Sequence, residues 1–260
     1  MHNLNQVGAG VIQRYEPNIN TDSPSLMMLN KPEEFLKENK VYFPVLSSGA
    51  VVGSENIGLN TIKIVAYPSP DDDYDGAALF VQPEKDCDPH DCVNVLYTPM
   101  RSPDSPFRLE ETNKCRPGDN HLWTTDTQSG CIVCILNWGK SDGQNEYSML
   151  HLQPRDGEEL PENPEELIKN EPLVYSNMQD ARIEVDIFKV LDKMIPEDGV
   201  KPESYAFIHS SEGFLSNNME TNVIGVSNDD SFSFFKQTSV QGTMYPKSVE
   251  PIEFLTWPER

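Results

Sequence analysis

The chain has 260 residues, enough for one large domain with its own core, and it carries 42 acidic against 20 basic side chains for a formal net charge of −22. That charge argues against a partner that needs its phosphates neutralised, nucleic acid above all, and favours a basic protein as partner. No basic segment followed by an apolar stretch opens the chain and nowhere do 18 apolar residues run together, so the expectation is a protein without a membrane span, made in a reducing cytoplasm.

In chain order, residues 1–40 are polar and broken by Asn, Pro and Ser. A loosely ordered start is expected there, with one short helix at KPEEFLKEN (31–39). Residues 41–260 then read as a single domain. Short runs rich in Val, Ile and Tyr, bounded by Gly, Pro and Asp, predict strands at VYFPVL (41–46), TIKIVAY (61–67), AALFV (77–81) and VNVLYT (93–98). From Pro99 to Asn120 the chain is irregular, because Pro103, Pro106 and Pro117 interrupt any long helix. CIVCILNW (131–138) is apolar on both alternating faces, as a strand buried from both sides is, and YSMLHLQ (147–153) is its expected hairpin partner. The connection GKSDGQNE between them has turn chemistry. ARIEVDIFKVLDKMI (181–195) carries Ile183, Ile187, Leu191 and Met194 on one helical face, and SYAFIHS (204–210), NVIGVSN (222–228) and FLTW (254–257) read as strands. One mixed domain, mostly sheet with helices laid on a face, fits this order of elements.

Five cysteines at irregular spacing fit free thiols or a metal better than a disulfide framework. Cys131 and Cys134 are three apart in a predicted strand, so they point to opposite faces and cannot easily form a disulfide or a redox pair. A structural zinc would draw on Cys87, His90 and Cys92 of CDPHDC, with Cys115 as fourth ligand, although the spacing matches no common finger. A third reading comes from the hairpin. If its turn centres near Ser141, position 131 lies opposite His151, and opposed residues of an antiparallel pair have Cβ atoms about 4.5–5.5 Å apart on one face. A thiol and an imidazole placed so can form an ion pair that activates a cysteine nucleophile, while a buried cysteine beside a core histidine is the plain alternative.

The residues before Cys131 favour the nucleophile. Ser129 and Gly130 form a small-residue turn that leaves backbone N–H groups free to face a developing oxyanion. Thr125 can return along a neighbouring segment and hold the imidazole, the third group that orients a catalytic base. His121 and His209 are the spare candidates for that base, and Trp123 and Trp138 flank the signature.

TDTQSGC (125–131) followed by His151 resembles the Thr, Ser-Gly-Cys, His signature of bacterial glutamine-deamidating toxins, the cytotoxic necrotizing factor catalytic domain and Burkholderia lethal factor. The chemoreceptor glutamine deamidases of the CheD family share that fold, and SGCIVCILNW, YSMLHLQP, the 181–195 helix and YAFIHSSEGFLSNNMETNVIGVSN are similar to their successive elements, so the resemblance spans roughly 120–230. Ser-Gly-Cys follows the toxin order, whereas the chemoreceptor enzymes have Gly-Ser-Cys. The resemblance implies an α+β fold, a layered β-sandwich with helices packed on an outer face. It also implies a cofactor-free deamidase converting a surface glutamine of a protein to glutamate, with Cys131, His151 and Thr125 as its site. The toxin likeness implies delivery into a host cell by a route that uses no signal peptide. A CheD-like enzyme, a transglutaminase using the same site and a zinc-binding interaction protein are the alternatives.

Overall fold

The computed structural model describes residues 24–42, 58–68, 77–83, 92–98, 100–101, 114–117, 122–128, 132–152, 195, 199–209, 219–240, 243 and 246–258. These residues are mostly β-strand, in two sheets, with two short helices. The eight-stranded sheet has the order β1-β3-β2-β4-β6-β10-β11-β12. Its strands are β1 (Lys40–Tyr42), β2 (Gly58–Pro68), β3 (Ala77–Pro83), β4 (Cys92–Thr98), β6 (Leu122–Thr125), β10 (Met219–Ser227), β11 (Phe232–Val240) and β12 (Pro246–Pro251). The five-stranded sheet runs β13-β9-β7-β8-β5, with β5 (Met100–Arg101), β7 (Ile132–Ser141), β8 (Gln144–Leu152), β9 (Ser204–His209) and β13 (Leu255–Thr256). Helix α1 spans Pro24–Asn30 and α2 spans Pro32–Glu38.

Two apolar layers hold these elements. Between the sheets, Leu96, Trp123, Val223, Phe232 and Phe234 of the larger one pack on Val133, Ile135, Tyr147, Met149, Ala206 and Ile208 of the smaller. On the other face of the larger sheet, Val95, Tyr97, Leu122, Ile224 and Phe235 pack under Met28, Phe35 and Leu36 of the helices. Strand alternation produces both layers at once: in β10, Val223 faces the small sheet while Ile224 and Val226 face the helices. Gly225 lies between Trp123 and Phe234, where a Cβ would meet the Phe234 ring at 2.7 Å and the Trp123 Cβ at 3.3 Å, so the position suits glycine.

Side-chain amides fasten the N-terminal arm to the sheet. Asn222 and Gln237 are direct cross-strand partners in β10 and β11, and they take both hydrogen-bonding groups of Val41. Gln237 Oε1 accepts from Val41 N at 3.0 Å and Asn222 Nδ2 donates to Val41 O at 2.8 Å. Gln237 Nε2 also donates to Leu36 O and Asn39 O at the end of α2. Lys40, fully buried, gives its ammonium protons to Glu220, Val240 O and Thr243 O. Replacing Gln237 by Leu strips partners from three backbone groups at once. At about 1–3 kcal/mol for a buried polar group left unmatched, with partial recovery through water, a loss of about 2–4 kcal/mol is expected, read as a lower urea midpoint at unchanged slope.

The strands expected at 41–46, 61–67, 77–81, 93–98, 131–138, 147–153, 204–210, 222–228 and 254–257 all have counterparts, residues 43–46, 131, 153 and 210 of those runs lying outside the described residues. The helix expected at 31–39 is α2, begun by Pro32 at its first turn and ended at Asn39, whose extended backbone turns into β1. The helix expected over 181–195 lies outside the described residues apart from Ile195, which is buried in a bend. Residues 1–23 lie outside them as well. Among the described residues no helix is long and apolar enough to cross a membrane.

Candidate active site

The β7–β8 hairpin closes through Asp142 and Gly143, both at positive φ (53° and 88°), the two-residue turn whose twist matches that of the flanking strands. The turn therefore centres past Ser141. One residue is also extra in β7: pairing shifts between Asn137 and Gly139, where Gly139 sits at φ 85°. Together these displace the expected register, so that His151 lies opposite Val133 rather than opposite position 131. The displacement is of two residues, which preserves the face. His151, Met149 and Tyr147 alternate on the inter-sheet side of β8, and Val133 and Ile135 do so on β7.

From that face His151 meets the larger sheet. Its Nδ1 lies 2.6 Å from Oγ1 of Thr125, the last residue of β6, and both side chains are fully buried. Burial alone lowers the imidazole pKa from 6.5 to about 3, so the ring is neutral at pH 7. Its Nε2 has no hydrogen-bond partner among the described residues. Thr125 is held in turn by β6. Parallel pairing sets it beside Thr98 of β4, whose hydroxyl accepts from Trp123 Nε1 at 2.8 Å. The next residue, Asp126, accepts the hydrogen bond of the buried Tyr97 hydroxyl, and burial with this carboxylate holds the phenol far above its ordinary range. Thr127 donates to Asn222 Oδ1 at 2.7 Å, and Gln128 bridges Thr221 through both backbone groups. The stretch from Leu122 to Gln128 is thus anchored at nearly every residue.

Cys131, Ser129 and Gly130 lie outside the described residues, as does His121. Ile132, bonded to Cys131, is the first residue of β7. Cys134 pairs with Leu150 and Phe207, is fully buried, and burial raises its thiol pKa steeply, so it is an inert packing residue. Cys134→Ser should lose about 1–3 kcal/mol in a denaturant titration, the cost of a hydroxyl in an apolar site. The backbone of His209, the last residue of β9, pairs with Ile132.

Of the zinc alternative, Cys87 and His90 lie outside the described residues. Cys92 opens β4 in the larger sheet, whereas Cys115 bridges Tyr147 of β8 in the smaller, its thiol pushed up to about 11 by burial. Among the described residues no group of three or more His, Cys, Asp or Glu side chains is placed to hold a metal ion. Trp123 is a core residue of the inter-sheet layer. Trp138 lies at the bulge, donates to Ser148, and carries Lys114 Nζ 4.0 Å from its ring centroid. Thr98, Tyr97, Asp126 and Gln128 carry no motif that marks them in the sequence. Asp126 and Gln128 stand inside the quoted signature itself, and their polarity in a segment adjoining an apolar strand was the available signal. No protein-family model matches this chain, and no curated protein matches it.

Proposed function

We propose that this protein is a cysteine-dependent protein-glutamine deamidase, an effector of the toxin type acting on a host protein. Cys131 is its nucleophile, His151 its acid–base, and Thr125 the residue that positions the imidazole. The observation that carries this reading is the 2.6 Å contact between Thr125 and His151 Nδ1, made across two sheets, with Nε2 left unpartnered in the inter-sheet layer that β7 enters one residue after Cys131. With Nδ1–H donating to the Thr125 hydroxyl, Nε2 carries the lone pair. The strand read from the sequence begins at 131, two positions before Val133, the spacing that shares one face in a regular strand. The layering of helices, sheet and sheet suits the fold of the necrotizing-factor and CheD deamidases.

The chemistry follows from a neutral imidazole. Burial disfavours a resting imidazolium, so His151 Nε2 takes the Cys131 thiol proton as sulfur attacks the carboxamide carbon of a substrate glutamine. Backbone N–H groups at Gly130 and Cys131 stabilise the oxyanion. Nε2–H then protonates the departing nitrogen, ammonia leaves, and a thioester remains. Water attacks it while Nε2 accepts a proton, the carbon–sulfur bond breaks, and the thiolate recovers that proton. The net change is glutamine plus water to glutamate plus ammonia. Because the net charge is −22, a basic target is favoured at encounter.

Incubating host-cell extract with the protein and mapping peptides by mass spectrometry tests this. Glutamine-to-glutamate conversion, about +1 Da per site, is expected with wild type and Cys134→Ser and absent with Cys131→Ser. Equal conversion by all three, or none by any, contradicts the proposal.

A further inference from the structure

We propose that Gln128 is a specificity-determining residue: its side-chain amide pairs with the carboxamide of the substrate glutamine, in a subsite between the two sheets. This rests on the deamidase reading above and adds the group that tells glutamine from glutamate.

The placement comes from the ladder. Gln128 bridges Thr221, and Thr221 pairs on its other side with Thr238 of β11. Directly opposed residues share a face, and Thr221 alternates with Val223 of the inter-sheet core, so the three form a polar row on the inter-sheet face of the larger sheet. The strand of Thr125 leads into that row three residues before Cys131. Gln128 is fully buried, and both its amide oxygen and its amide nitrogen lack a hydrogen-bond partner among the described residues. The Thr238 hydroxyl, 3% exposed, is in the same state, as is His151 Nε2 on the facing sheet. Native proteins leave few buried polar groups unmatched, so such groups on the two walls of one layer call for a ligand with matching groups.

The inventory of these groups selects the ligand. A glutamine side chain offers one carbonyl acceptor and one N–H₂ donor, the complement of another primary carboxamide, and the two can pair through reciprocal hydrogen bonds. The row itself, Gln128, Thr221 and Thr238, contains no ionisable side chain. A carboxylate brings acceptors only: it would set oxygen against the Gln128 carbonyl, so the glutamate product is held less well than the glutamine substrate.

Small electrophiles test the subsite without a known target. Alkylation of Cys131 by 2-chloroacetamide and by N,N-dimethyl-2-chloroacetamide, which keeps the carbonyl but has no N–H, is followed by peptide mass spectrometry and normalised to glutathione. Wild type is expected to favour the primary amide by about 10-fold or more, as a site built around a hydrogen bond does. In Gln128→Met and in the same-sized Gln128→Glu this preference should fall to near unity with the dimethyl rate little changed. Gln128→Met should unfold no earlier than wild type, since an apolar group replaces an unmatched amide. An equal preference in wild type and both variants overturns the subsite and leaves Gln128 matched by trapped water. If neither reagent prefers Cys131 over the other cysteines in wild type, the deamidase reading falls and the subsite with it.

Discussion

Cys131→Ser is expected to lower glutamine deamidation by about 10⁴-fold or more. A serine hydroxyl keeps the shape of the thiol, but it is far harder to deprotonate, and a neutral imidazole with a pKa near 3 is a weak base for it. In the proposed mechanism the residue removed forms and breaks the one covalent bond to the substrate, so the loss should fall on kcat, with substrate affinity retained. Cys134→Ser separates this from a general effect of losing a thiol. Its side chain is enclosed between Leu150 and Phe207 in the strand ladder, and its substitution should be felt as stability alone. A kinetic comparison of the two variants on one substrate peptide checks both halves of the statement.

The second large effect is expected at His151. His151→Gln keeps a polar group beside Thr125 but cannot shuttle a proton, and a loss of about 10²–10⁴-fold in kcat should follow. Thr125→Val, close to isosteric, removes the hydroxyl that fixes the ring; a loss of roughly 10- to 100-fold is expected, smaller than for a charged orienting group, with Thr125→Ser recovering most of it. The pH dependence has a definite sign. In the unfolded chain the imidazole takes up a proton below its ordinary 6.5, whereas in the folded protein burial delays protonation to about 3. The unfolded state therefore binds more protons between these values. The contribution of His151 to stability is complete above pH 6.5 and is lost as pH falls toward 3, at up to about 1.4 kcal/mol per unit. Urea midpoints measured from pH 7.5 to 4.5 should fall less steeply for His151→Gln than for wild type. Activity should show no acid limb near 6.5, because the base remains unprotonated there.

Much of the architecture is legible in local pattern. Runs such as TIKIVAY and CIVCILNW are β-branched or apolar at all but one position each and bounded by turn residues, and strands β2 and β7 stand there. The hairpin was legible because Asp142-Gly143 is a strong two-residue turn. Its register was not, because the extra residue at Trp138 depends on Gly139 adopting a positive φ beside Glu203, a tertiary circumstance. Strand β11 escapes the pattern because Gln237, Thr238 and Ser239 are all buried: Gln237 serves the backbone of β1 and α2, some 200 residues earlier in the chain, and no alternation of polar and apolar residues survives. Strand β12 starts and ends with proline, tolerable only because it forms the edge of its sheet.

The candidate site divides in the same way. Thr125 and His151 could be associated from spacing and hairpin logic, and the structure sets the threonine hydroxyl on the imidazole. The supports behind Thr125 could not be read locally. Tyr97 against Asp126 and Thr98 against Trp123 depend on the parallel pairing of β4 with β6, a neighbour relation that no short motif encodes. Gln128 was hidden by its ordinariness: a glutamine before Ser-Gly reads as loop, and only its bridge to Thr221 makes it a buried residue of the inter-sheet face.

The activation of Cys131 by His151 is tested most directly by the rate at which each cysteine is alkylated by iodoacetamide at pH 7, resolved by peptide mass spectrometry, in wild type and in His151→Gln. Cys131 is expected to react first in wild type and to slow by at least about 10-fold in the variant, with Cys134 unmodified in both. Preferential modification of Cys134, or a Cys131 rate indifferent to His151, would contradict the account.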